Sequence, residues 1–400
     1  MKHKLFTLVI ILISINSLAQ NSNAKYINTW QEKIYKAANK ELKESGTPSL
    51  QIAIGLRDTI IFEKAFGMAD LENNVPATIE SKYRSASVTK WWTATAAMIL
   101  ANQGMLDLDA PIQNYCSIFP IKKWPITTRQ LLTHTSGVRS YIDLEEEMLK
   151  INDDIDSLKL IRRYEKELLG TYTHYTNVND PLNNFMEDSL NFEPGTNWSY
   201  SSQGYRILGC VIEAASGKEY RELMKELVFI PARMENTIED DAWAIISNRV
   251  SGYQFQRGEP LRRTDIRDVS ENLPAGGYLT NASDLVRFAQ AFLNHEFFKS
   301  KTILLMSNSF SNDSQVITGE QSWRDAIPSK EKYGYGIMLF PDSETVRFGH
   351  TGRQAGGSCI VIVVPEKKLS IAIMTNAKGW NGYMSFSKVI EQIITENFKI

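Results

Sequence analysis

The chain has 400 residues, with 44 Lys and Arg against 46 Asp and Glu, for a formal charge of −2. Such a balance gives no electrostatic basis for nucleic-acid binding. A composition of 43% hydrophobic and 22% charged residues excludes a disordered or fibrous chain and leaves one large or two intergrown globular domains.

In chain order, MKHKLFTLVIILISINSLAQ sets Lys2 and Lys4 before an apolar run from Leu5 to Ile15 and a small-residue ending at Ala19. Residues 1–19 read as a secretory signal peptide. The mature chain, 20–400, is expected to be exported, periplasmic or extracellular, with no integral membrane segment once the leader is removed. A helix is expected from Trp30 to Glu44, closed by SGTPS. LQIAIGL and TIIFEKAFG, joined at Arg57 and Asp58, read as a hairpin. The same pattern returns late in the chain as SCIVIVV, a turn at PEKK, and LSIAIMT, followed by a terminal helix from about Met384. Hairpins at both ends predict an α+β fold, a single antiparallel sheet flanked by helices. The sheet lobe takes residues 26–105 and 282–400, and an inserted, mostly helical lobe takes 106–281. Within the insertion, the acidic run DLEEEMLKINDDID reads as a solvated helix face, and 140–191 is expected to overhang a cleft.

Cys116, Cys210 and Cys359 are widely spaced and odd in number, and each sits among apolar neighbours, so each is expected as a buried thiol. No C-x-x-C occurs, and HEFFK at His295 lacks the second histidine of a zinc-binding H-E-x-x-H. Neither a metal nor an organic cofactor is expected.

The chemistry concentrates in three places. SASVTK precedes the apolar run WWTATAAMILANQG, and Lys90 is the only charged side chain between Arg84 and Asp107. A helix from Val88 to Gln103, with Ser85 or Ser87 as cap and Gly104 beyond its end, puts Ser87 and Lys90 on one face. Burial disfavours an ammonium, so a neutral Lys90 amine would take the Ser87 proton. The second place is FEPGTNWSYSSQGYRILGCVIEAASGKEY, which offers Tyr200, Ser201 and Ser202 on a loop leading into a helix that ends near Gly217. A tyrosine relays protons when a lysine holds its hydroxyl in a hydrogen-bonded chain. The third is FGHTGRQAGGSCIVIVV, in which His350, Thr351 and Gly352 end one strand and Gly356 and Gly357 precede the next.

Ser-x-x-Lys, Tyr-Ser-x and His-Thr-Gly, in this order and at these spacings, resemble the serine β-lactamase and penicillin-binding-protein superfamily, in particular its class C-like branch. ITTRQLLTHTSG, LPAGGYLTNASDLVRFAQAFL and YGYGIMLF support the likeness, which runs from about Tyr26 to the C-terminus. The resemblance implies a β-lactamase/transpeptidase-like fold and a serine hydrolase acting on a small-molecule or peptide substrate. It implies that Ser87 is acylated, that Lys90 accepts its proton, and that Tyr200 acts with Lys90 as general base and then protonates the leaving group. It further implies an oxyanion hole from the backbone N–H groups of Ser87 and Arg353, and substrate binding by Ser202, His350, Thr351 and Gly352. In His-Thr-Gly the histidine stands where the family often has lysine, and Ser202 stands where it usually has asparagine. Both changes weaken the anchoring of a free carboxylate, and Arg353 offers a replacement charge. The variants also resemble β-lactamase-like serine proteins of the mitochondrial type, esterases and D-aminopeptidases. The expected activity is hydrolysis of an amide, peptide or ester bond. The alternatives are a true β-lactamase or D,D-carboxypeptidase, and a non-catalytic ligand-binding or assembly module. An α/β-hydrolase is disfavoured because no G-x-S-x-G occurs, and the resemblance leaves His134 in a structural loop.

Overall fold

The computed structural model describes residues 29–151, 153–255, 260–265, 267–307, 332–340 and 346–400; the expected leader at 1–19 lies outside them. Eight antiparallel strands form the main sheet: β1 Ser49–Leu56, β2 Thr59–Asp70, β3 Val75–Pro76, β4 Lys332–Tyr333, β5 Met338–Phe340, β6 Arg347–Gln354, β7 Gly357–Val364 and β8 Leu369–Thr375. Their order is β3-β2-β1-β8-β7-β6-β5-β4, so the hairpins from the two ends of the chain meet at the β1–β8 pair, where Ala53 lies opposite Ala372. The fold class is the α+β arrangement expected from sequence.

The central strands are buried along their whole length because helices cover both faces, and the two-residue period decides which side chain meets which layer. Leu50, Ile52, Ile54, Ile360, Ile362, Ile371 and Ile373 pack with Trp30 and Ile34 of helix α1 (Thr29–Ser45) and Ile390 and Ile394 of the terminal helix Tyr383–Phe398. On the opposite face, Ala53, Val361, Val363 and Ala372 join a second core with Trp91, Leu208 and Phe288. That face is lined with small residues because a helix, Ala282–Leu293, lies directly on it. A Cβ on Gly55 would come within 2.6 Å of Val286 Cγ1.

Helix α2, Thr89–Asn102, is buried over most of its length and carries no charge but Lys90, as suits a helix enclosed by its neighbours. Trp91 meets Phe288 and Phe292 at ring-centroid distances of 5.0 and 5.1 Å. Trp92 meets Phe229 at 5.5 Å on the other side. The two tryptophans therefore fix the rotation of α2, and with it the direction in which Lys90 points. The inserted segment carries helix α3 (Asp154–Gly170), capped by the Asp153 side chain, and helix α4 (Ser202–Ser216), closed by Gly217 in a left-handed conformation. In the same order, Ala282–Leu293 is α5 and Tyr383–Phe398 is α6.

One expectation about the cysteines is corrected. Cys116 and Cys210 are not thiols; they form a disulfide with their Cα atoms 5.5 Å apart, and Cys359 alone is free and buried. The loop after α2 folds under α4 and closes a separation of 94 residues that carries no local signal.

Candidate active site

Ser87 lies in a single 3-10 turn, Ala86–Val88, at the head of α2. Ala86 has φ +44°, a left-handed conformation that is uncommon for a residue with a Cβ. Contrary to expectation, neither Ser85 nor Ser87 caps the helix through its side chain. Ser85 Oγ is engaged by Thr89 Oγ1 and by the Tyr278 carbonyl, both at 2.9 Å. The turn is thus tied to the next layer rather than to its own helix.

Lys90 is completely buried. Its ammonium donates to Ser87 Oγ at 3.0 Å and to the Ala275 carbonyl at 3.0 Å. Nζ also lies 4.9 Å from the centre of the Tyr200 ring. The three residues expected from sequence are therefore brought together, on two helix starts separated by more than a hundred residues of chain. Ala275, within LPAGG, completes the setting: its segment runs behind α2, and Thr93 Oγ1 donates to the adjacent Pro274 carbonyl at 2.7 Å.

Tyr200 immediately precedes α4. Ser201 is the cap of that helix; its Oγ accepts from Gly204 N–H at 2.9 Å and donates to the Arg139 carbonyl at 2.7 Å. Ser202, at the first helical position, is buried. The His134 ring packs against Tyr200 at 4.3 Å and Tyr333 at 4.5 Å.

His-Thr-Gly lies within β6 and does not end it: the strand continues through Arg353 to Gln354, because the turn falls at Ala355 and Gly356. The neighbouring β5 pairs only with Arg347–Gly349, so among the described residues His350–Gln354 extend past it. Gly352 sits against the nucleophile turn. A Cβ there would stand 2.5 Å from the Ser85 carbonyl oxygen and 3.1 Å from Ala86 Cβ. The glycine is thus what lets β6 approach Ser87. Arg353 bonds Asn381 Oδ1 through its side chain.

The His350 side chain is not in the cleft, where a substrate-binding residue was expected. It is fully buried, with Nδ1 2.5 Å from the Thr351 carbonyl and Nε2 3.0 Å from Tyr333 Oη. A ring nitrogen facing a carbonyl must carry hydrogen, so in the neutral ring Nε2 accepts from the Tyr333 hydroxyl. Burial first, and the Lys90 charge second, lower its pKa to about 3 and keep the ring uncharged. Thr351 is also buried, its hydroxyl 3.4 Å from Met338 Sδ. Of the His-Thr-Gly triplet, only Gly352 lies directly beside the nucleophile turn.

A model of the family described as Beta-lactamase matches residues 34–388. The chain belongs to the beta-lactamase family. Within this family it is similar to the human mitochondrial serine beta-lactamase-like protein LACTB, at 26% identity over 81% of this chain and 70% of that protein. It is also similar to penicillin-binding protein 4* of Bacillus subtilis, at 24% identity over 84% of this chain and 70% of that protein. Among solved structures, the octameric penicillin-binding protein homologue from Pyrococcus abyssi superposes with a TM-score of 0.71 at 22% identity, over 92% of this chain and 77% of that one. D-amino acid amidase from Ochrobactrum anthropi SV3 does so with a TM-score of 0.71 at 20% identity, over 93% and 99%. The chain is a hydrolase of the serine beta-lactamase and penicillin-binding-protein type.

Three residues of this family site were not singled out from sequence: Ala275, Tyr333 and Tyr205, whose hydroxyl donates to the Leu132 carbonyl at 2.9 Å. The first two fall in stretches noted only as marks of the family. Their partners lie 185 and 17 residues away, and only the fold discloses the contact.

Proposed function

We propose that the protein is an exported serine hydrolase that cleaves an amide, peptide or ester bond through an acyl-enzyme on Ser87. The observation that carries this reading is the wholly buried Lys90 Nζ 3.0 Å from Ser87 Oγ. Burial disfavours the charged form of a lysine, and here the amine faces a hydroxyl capable of attack.

In this mechanism Lys90 acts as the neutral amine: with Tyr200 it takes up the Ser87 hydroxyl proton, becoming ammonium, as Ser87 Oγ bonds to the substrate carbonyl carbon. The resulting oxyanion is held by the backbone N–H groups of Ser87 and Arg353, with the start of α2 adding its dipole. As the tetrahedral intermediate collapses, the carbon–nitrogen or carbon–oxygen bond breaks. Tyr200 delivers a proton to the departing amine or alcohol. Water then attacks the acyl carbon, and Ser87 recovers its proton. Ser202 and the edge of β6 line the substrate. Neutral, buried His350 stands where the family often has a lysine, so no charge at that position attracts a substrate carboxylate. A substrate without a free carboxylate fits this site best. Export is supported by the Lys2, Lys4 and Ala19 leader pattern and by the Cys116–Cys210 disulfide, since such bonds persist in oxidising compartments.

The test is hydrolysis of three substrates side by side: a short-chain p-nitrophenyl ester, a D-alanyl-D-alanine peptide and nitrocefin. Turnover of the ester ahead of nitrocefin, abolished in Ser87→Ala, is expected. Rapid nitrocefin hydrolysis without ester activity assigns the protein as a β-lactamase instead.

A further inference from the structure

His134 holds the chain on both sides of Tyr200. Its carbonyl accepts from Ser199 N–H at 3.0 Å, and its Nδ1 accepts from Ser201 N–H at 3.1 Å. Between these two bonds its ring lies 4.3 Å from the Tyr200 ring, centre to centre. The imidazole is also flanked by Tyr205 at 5.2 Å and Tyr333 at 4.5 Å. The residue is buried and adopts φ +59°, so its backbone is held in a left-handed turn that aims both acceptors at the same strand of chain.

We infer that His134 is a positioning residue for catalysis, clamping the Ser199–Ser201 backbone through its carbonyl and its Nδ1 so that Tyr200 is held over Lys90. This rests on Tyr200 being the proton relay of the proposed acyl-enzyme mechanism. The chemistry requires a neutral ring. An Nδ1 that accepts from an amide cannot itself carry hydrogen, so the ring proton resides on Nε2. Burial, followed by the charges of Lys90 and His350, pushes the imidazole well below its ordinary range, and the acceptor survives throughout the working pH range. Tyr205 and Tyr333, which flank the ring, are driven upward by burial and remain protonated. Apart from Lys90, the groups that face the ring, His350, Tyr205 and Tyr333, keep their charge near neutrality. Misplacing a relay by a fraction of an ångström costs rate more than binding.

Two substitutions separate this clamp from simple packing. His134→Phe keeps a ring beside Tyr200 and removes the acceptor. His134→Asn keeps an acceptor at the position of Nδ1 and tolerates the left-handed backbone. The measured quantities are kcat and KM for a p-nitrophenyl ester across pH, the rate of Ser87 labelling by a fluorophosphonate, and the melting temperature. His134→Phe is expected to lose about 10- to 100-fold in kcat and in labelling rate, with KM within about twofold and the limb of the pH profile that reports the relay displaced. His134→Asn is expected to recover most of that loss. Should His134→Phe not fold, His134→Asn alone decides: activity near wild type supports the clamp, and a loss beyond about tenfold overturns it. A folded His134→Phe with wild-type kcat and pH profile, or a His134→Asn as impaired as His134→Phe, also overturns it. Absence of labelling in the wild-type protein would instead refute the acyl-enzyme reading on which the clamp depends.

Discussion

A histidine in place of lysine within the β6 motif has a consequence measurable without any substrate. The unfolded His350 ring titrates near 6.5, whereas the buried one is lowered to about 3 by desolvation and by Lys90. As the pH falls through 6.5, the unfolded state takes up a proton that the folded state refuses. The stability this residue contributes is therefore fully present above 6.5 and is lost progressively toward 3. His134 has the same sign. Urea midpoints should decline from about pH 7 to about pH 5, above the range in which ordinary carboxylates titrate. His350→Gln should show a shallower decline. A wild-type midpoint unchanged over that interval would contradict a buried neutral ring. At this scale the sequence exposed the right residue types but not their directions. His350 carries no mark that distinguishes a substrate contact from a partner of Tyr333, because Tyr333 comes from a separate strand that only the fold sets beside it.

Strand β6 and helix α2 meet across a gap that exists only because Gly352 has no side chain. The methyl group of Gly352→Ala would press on the Ser85 carbonyl, a backbone atom that cannot swing aside. The expected cost is about 1–3 kcal/mol of stability, read as a lower urea midpoint. Fluorophosphonate labelling should slow as β6 moves off the nucleophile turn. Full stability with an unchanged labelling rate would show that the strand does not approach as closely as described. The elements themselves were largely legible. LQIAIGL and LSIAIMT are β-branched runs bounded by turns, and WWTATAAMILAN carries no charge and is buried over most of its length. What failed was the end of β6, expected at His-Thr-Gly, whereas the strand runs on to Gln354 and Gly356 makes the turn; the expectation that glycine there admits a close backbone holds at Gly352. The expected side-chain cap at Ser85 failed as well, its hydroxyl being engaged by Tyr278 across the fold.

For the whole molecule, two features join parts that are distant in the chain: the β1–β8 pair, and the Cys116–Cys210 disulfide beneath α4. The first was foreseeable, since unpaired hairpins at the two ends of a chain have each other to pair with. The second was not, because 94 residues of helix and loop separate its halves and cysteine spacing reports nothing at that range. Cys210→Ser should lower the stability of the oxidised protein by about 2–4 kcal/mol through the longer unfolded loop it releases. Reductant should lower the wild type toward the variant; equal stability of the two under oxidising conditions would deny the cross-link. The fold thereby holds together the starts of α2 and α4 and the edge of β6, the three sites from which the proposed chemistry is drawn. The most direct test of that chemistry is the intact mass of the protein after exposure to a fluorophosphonate, with peptide mapping of the adduct. A single adduct on Ser87, lost in Ser87→Ala and strongly slowed in Lys90→Met, is the predicted result; a folded protein that takes up no adduct, or takes it up elsewhere, would contradict the assignment of Ser87 and Lys90.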